Sequence, residues 1–177
     1  MRPPRLVMGI ALAAVACGGG GGGGAADAPS NPDDPDVPPL GFDAMMTWLG
    51  SGYYKSWTCE PSAHPQEFPS NHGYNRTCNN SILHAAALAS MTAPFPVDAA
   101  SVKELYDDCG LDIIGMAVSR KLDETGANGW YWYQTGGDPS KMEQGEGSAV
   151  NDCIGCHEQA GHDFTFAIVM STGSGSN

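Results

Sequence analysis

The sequence predicts an α+β domain, mainly antiparallel β-sheet with a few short helices. Three observations carry that expectation. Beyond residue 40, five or so short stretches rich in β-branched or aromatic residues alternate with Pro, Gly and Asn punctuation. One good helical stretch, Ser81 to Ser90, interrupts them, with no long amphipathic helix and no internal repeat. Two cysteines three apart, Cys153 and Cys156, come late in the chain on a short predicted helix. Runs of strands beside a few helices point to an α+β layer architecture.

The N-terminal segment reads as an export signal. Arg2 and Arg5 precede an apolar run from Leu6 to Ala16, too short for a membrane span. Ala14-Val15-Ala16 before Cys17 are small residues of the kind a signal peptidase accepts. The segment resembles a bacterial lipoprotein signal, which would make Cys17 the lipidated residue; Ala14 stands where that signal usually has leucine. Simple cleavage and secretion is the alternative. Either way the mature chain is expected to be exported: lipid-anchored and facing the periplasm or cell surface, with that anchor as its only membrane attachment, or else secreted. Gly18 to Gly24 is an unbroken glycine run and continues into AADAPSNPDDPDVPP, so residues 18–39 read as a flexible tether. The folded domain is expected over 40–177.

Charge narrows the partners. Loss of Arg2 and Arg5 from 8 basic residues leaves six against 20 acidic ones, a net charge of −14. No basic patch can be assembled to neutralise phosphates, so nucleic acid is excluded as a partner.

Within the domain, Phe42, Met45, Met46 and Leu49 fall at helical spacing and Gly50 and Gly52 close the segment. Tyr53 to Thr58 is aromatic-rich and predicts a strand. A polar loop from Cys59 to Gly73 leads to a second strand at Asn75 to Asn79, after which Asn79 or Asn80 caps the Ser81–Ser90 helix. Pro94 and Pro96 precede strands at Ala99–Tyr106, Ile113–Leu122 and Trp130–Gln134. A Gly-rich loop over 136–147 precedes a helix from about Ser148 to Gln159. Phe164 to Met170 predicts a last strand and Ser171 to Asn177 a frayed tail.

Cys153-Ile154-Gly155-Cys156-His157 is the motif with chemistry. It is the C-x-x-C-H signature of covalent c-type haem attachment, and chance produces about 0.006 occurrences at this Cys and His content. On a helix, positions i and i+3 share a face, so both thiols reach the two haem vinyl groups. His157 then offers a ring nitrogen to the iron. A plain disulfide with an incidental histidine is the bland alternative; a zinc site lacks a second ligand pair. The remaining histidines are His64, His72, His84 and His162. His84 reads as a packed or surface residue on its helix, while His72, in the loop before Gly73, could approach the site. Met91, Met116, Met142 and Met170 are more ordinary as packing than as a sixth ligand. Trp130 and Trp132 share one strand face and Tyr131 and Tyr133 the other. Cys59, Cys78 and Cys109 allow one disulfide and leave one thiol, with the pairing open.

A small all-helical cytochrome carries this motif near its N-terminus, and the four-helix cytochromes c′ carry it at the end of four long helices. A late motif after a strand-rich region fits neither. Asn71-His72-Gly73 with Asn75-Arg76, Pro94-Phe95-Pro96, Ser101-Val102-Lys103-Glu104-Leu105-Tyr106, Gly129-Trp130-Tyr131-Trp132-Tyr133, the haem motif and Asp163-Phe164-Thr165-Phe166 follow one another in the order of a known family. Over roughly residues 45–170 the chain resembles the cytochrome P-460 family, which includes the β-sheet cytochromes c′. The resemblance implies a sheet curled over one covalent haem c, five-coordinate iron on His157 and an open distal side. It implies chemistry on hydroxylamine and nitric oxide, with electrons passed to an exported redox partner that the sequence does not name. Members often form homodimers.

In the hydroxylamine-oxidising members a strand lysine is cross-linked to the haem, and the matching residue is Lys103. Strand alternation sets Lys103 and Leu105 on one face, Val102, Glu104 and Tyr106 on the other. Lys103 thus either enters the pocket or is a solvated strand lysine. Active members use a carboxylate shortly after the haem histidine as proton relay. Glu158 is the candidate, although Gln159 sits where the acid is expected and an amide cannot relay protons at neutral pH. Ala167 also replaces a usual threonine. The alternative reading is a non-enzymatic, NO-binding or electron-transfer cytochrome.

Overall fold

Five antiparallel strands lie side by side in chain order in the computed structural model, which describes residues 36–67, 71–136, 151–166 and 169. They are β1 (Thr58–Cys59), β2 (Tyr74–Asn79), β3 (Ala100–Tyr106), β4 (Ile113–Lys121) and β5 (Trp130–Gly136). Three short helices accompany them: α1 (Phe42–Ser51), α2 (Ser81–Ala89) and α3 (Asn151–His157). The α+β expectation therefore holds among the described residues. None of the described helices is long and apolar enough to cross a membrane.

Local sequence explains the helix ends. Gly52 closes α1 in a left-handed conformation (φ 73°), with its N–H donating to the Leu49 carbonyl. Asn80 caps α2: its Oδ1 accepts from the Leu83 N–H at 2.9 Å and from the Ala100 N–H at 3.0 Å. Its Nδ2 donates to the Asp36 and Asp98 carbonyls. One fully buried amide thus ties α2 to the start of β3 and to the segment before α1.

Alternation divides the sheet. On one face Cys78, Ala100, Val102, Val118, Tyr131 and Tyr133 pack against Met45, Trp48, Leu49, Tyr54 and Trp57, a closed core roofed by α1. Buried Glu104 lies on this face, accepting from Tyr54 Oη and Tyr106 Oη at 2.8 Å each and from Arg76 Nη1 at 3.2 Å. Burial and that carboxylate push both phenols up in pKa. On the opposite face Trp130 and Trp132 pack with Leu83, Ala87, Phe95 and Ala99 at one end. The other end of that face is open.

The strand expected over Tyr53–Thr58 is instead a 3-10 turn over Tyr53–Ser56, with only Thr58–Cys59 left as strand. Tyr54 and Trp57, three apart, both fold onto Trp48, with ring centroids 6.2 and 5.5 Å away. Burial of two aromatics on one helix overrides their strand propensity. In α1 the core-facing residues are Met45, Trp48 and Leu49, while Phe42 and Met46 are exposed. The last predicted strand is also corrected where it is described. Asp163 and Phe164 have φ of 37° and 61°, and the Thr165 N–H closes a turn onto the His162 carbonyl. The Asp163 carboxylate anchors that turn, accepting from Lys121 Nζ and from the Phe95 N–H at 2.7 Å. The expected Gly-rich loop beyond Gly136, residues 148–150 of the expected haem helix, and the tail from Ser171 lie outside the described residues, as do the signal, Cys17 and most of the tether.

Strand register settles the cysteines. Cys59 and Cys78 are directly opposed on β1 and β2 and form a disulfide, leaving Cys109 as an exposed thiol.

Candidate functional site

The open end of the sheet face becomes a cavity of about 410 Å³, within the range of small-molecule and cofactor pockets. Period-2 alternation supplies its floor: Ser101 and Lys103 from β3, Ala117 and Ser119 from β4, Trp132 and Gln134 from β5. α3 closes it from above with Asp152, Cys153, Cys156 and His157. Thr165 and Phe166 line one side, Asn71 and His72 another.

Helical periodicity brings both thiols to the cavity: Cys153 and Cys156, one turn apart, are half-buried there, and neither is in a disulfide. The His157 imidazole is fixed. Its Nδ1 lies 2.7 Å from the Phe164 carbonyl, and since a carbonyl only accepts, Nδ1 carries the proton and Nε2 keeps its lone pair. Around that ring stand Trp132, Phe166 and His72, with centroids 4.4, 5.3 and 6.4 Å away. Burial pushes the His157 pKa down to about 4 against the opposing Phe164 bond. Burial, with the nearby Lys103 and His157, pushes His72 down to about 3. Both rings are therefore neutral at pH 7, the form that ligates metals.

Lys103 does enter the cavity. Burial lowers its pKa against weaker pulls from Glu60 and Cys156, and it makes no ion pair among the described residues. Two further polar groups of the floor, Trp132 Nε1 and Gln134 Nε2, are buried without a hydrogen-bond partner among the described residues. Buried polar atoms are rarely left so, and a group bound in the cavity would supply partners for these two.

These residues fit a c-type haem. The fit rests on two thiols at i and i+3, a neighbouring imidazole with a free Nε2, aromatic walls and orphaned donors. Among the described residues no three His, Cys, Asp or Glu side chains gather as they would on a bare metal ion. A macrocycle-bound iron needs only axial donors from the protein.

Other candidates fall elsewhere. Glu158 is exposed and does not line the cavity; Gln159 is exposed too, donating weakly to the Gly155 carbonyl at 3.4 Å. Met116 packs against the closed core on the opposite face, and Met91 is exposed. His84 is half-buried on α2, its ring 3.1 Å from the Val169 carbonyl. Met142 and Met170 lie outside the described residues. Asp152 is a cavity carboxylate that sequence reasoning passed over, as are Gln134, Ser101 and Ser119. Strand alternation carried from Lys103 across β4 and β5 would have found the last three.

The chain matches no family model and no curated protein.

Proposed function

We propose that this chain is an exported, lipid-anchored monohaem cytochrome acting on hydroxylamine and nitric oxide. The observation that carries the reading is the convergence of Cys153, Cys156, a tautomer-fixed His157 and Lys103 on one cavity. Cys153 and Cys156 would hold haem c as thioethers and His157 Nε2 would ligate its iron. When bound, the group supplies a centre that takes small nitrogen ligands and exchanges electrons. Lys103 lines the same cavity and would be the residue to cross-link to the macrocycle; its lowered pKa favours the neutral, nucleophilic amine. Trp132 and Phe166 exclude water from the His157 side. Electrons would leave to an exported acceptor protein, and Cys17 would tether the domain to its membrane.

A second reading has its own support. Glu158 faces solvent outside the cavity, so the proton relay of a hydroxylamine oxidase has no carboxylate at that position of the site. That favours an NO-binding protein without turnover. The two separate by experiment. Hydroxylamine-dependent reduction of an acceptor dye, with a haem peptide bridged to the Lys103 peptide and a red-shifted Soret band, supports the enzyme. Haem held by two cysteines alone, NO binding and no dye reduction support the binding protein.

A further inference from the structure

Cross-strand register sets two rows of side chains on the cavity floor. Ser101, Ser119 and Trp132 are paired in one row, and Lys103, Ala117 and Gln134 in the next, two residues along each strand and about 7 Å away. The first row is engaged: Trp132 packs on the His157 ring at 4.4 Å, and Ser101 Oγ donates to Asn79 Oδ1 at 3.0 Å. The second row is notched at its centre. Ala117 offers one methyl between two long side chains, with the Lys103 and Gln134 backbones about 10 Å apart across three strands. Gln134 is 5% exposed and lines the cavity, and its Nε2 has no hydrogen-bond partner among the described residues. A buried amide N–H costs folding energy until something accepts from it. An amide nitrogen only donates, so the missing group must present an acceptor and be small enough for the notch.

We propose that Gln134 selects the small ligand held in this cavity, its Nε2–H donating over Ala117 to the ligand's outer oxygen. The inference rests on the haem attachment and nitrogen-ligand binding proposed above, and it narrows the ligand class to small nitrogen species whose outer atom is an oxygen acceptor, nitric oxide among them. A lysine joined to the macrocycle would have spent its nitrogen, which leaves Gln134 as the neutral donor of the row. An amide neither takes nor gives up a proton at neutral pH, so Gln134 holds the ligand without relaying protons. Its role is therefore common to the enzyme and to the binding protein.

The test uses the haem-loaded full chain with nitric oxide as the probe. The N–O stretching frequency of the ferrous complex and the rate of nitric oxide release are measured for wild type, Gln134→Leu, Gln134→Met and Lys103→Met. The expected result is a higher N–O frequency and release about tenfold faster in both Gln134 variants, the loss of one hydrogen bond. Lys103→Met should keep the wild-type frequency. An N–O frequency unchanged in both Gln134 variants, or moved only in Lys103→Met, overturns the inference while leaving haem attachment and nitric oxide binding intact. Should the Gln134 variants not fold, the frequency is compared in light and heavy water. An isotope shift that persists in Lys103→Met supports the inference, and its absence from wild type or its loss in Lys103→Met overturns it. A chain that takes up no haem, or whose haem takes no nitric oxide, overturns the parent reading instead.

Discussion

Lys121 and Lys103 stand on the same face of the same sheet, one on β4 and one on β3, and they are treated in opposite ways. Lys121 is 1% exposed and its Nζ sits 2.8 and 2.9 Å from the two Asp163 oxygens, with the Trp130 ring at 5.4 Å. Lys103 lies in the cavity, its pKa lowered by burial against a weaker pull from Glu60, with no ion pair among the described residues. A buried cation with a bidentate partner is part of the scaffold. A buried amine without one costs folding energy, and groups of this kind cluster at functional sites. The contrast separates the end of the sheet face that builds the molecule from the end that receives a group.

The largest effect expected is at the scaffold end. Lys121→Met leaves Asp163 nearly buried and uncompensated, and should destabilise the chain by about 3–5 kcal/mol in urea unfolding. A cost below about 1 kcal/mol would mean that the pair is not structural. At the site end, Lys103→Met should stabilise the haem-free chain by about 1 kcal/mol, since it removes a desolvated charge and leaves no partner orphaned. Destabilisation of similar size would break the comparison.

A smaller, pH-dependent effect sharpens the same point. The folded-state pKa of Lys103 lies below the ordinary lysine value near 10.4. Below the folded pKa both states carry the proton and wild type bears the full penalty. Between the two values the unfolded chain binds more protons, so wild-type stability rises with pH relative to Lys103→Met. The gap between the two proteins should therefore close as pH approaches the ordinary lysine range. A gap that widens there contradicts a desolvated Lys103.

Much of this was legible in local pattern. Alternation on Ser101 to Tyr106 assigned Lys103 and Glu104 to opposite faces, and the Trp130–Tyr133 alternation assigned tryptophans to one side and tyrosines to the other. The Asn79-Asn80 pair announced the start of α2, and Asn80 is the residue that caps it. What local pattern lacked was long-range. The 3-10 turn at Tyr53–Ser56 depends on how Tyr54 and Trp57 meet Trp48, and the turn at Asp163 depends on a partner 42 residues earlier. The Cys59–Cys78 bond follows from the β1–β2 register, which spacing does not specify. On α3, motif spacing placed the thiols together, but which acidic residue reaches the cavity depends on how the helix docks. Asp152 lines it and Glu158 does not. The approach of His72 to His157 joins a loop to a helix 85 positions away.

Peptide mass spectrometry of the mature protein, produced in a host with haem-attachment machinery, tests the central claim most directly. The account predicts that the peptide spanning Cys153 to His157 carries one haem through both cysteines, lost in a Cys153→Ala, Cys156→Ala double variant. Two unmodified, alkylatable thiols on that peptide in wild type would contradict it.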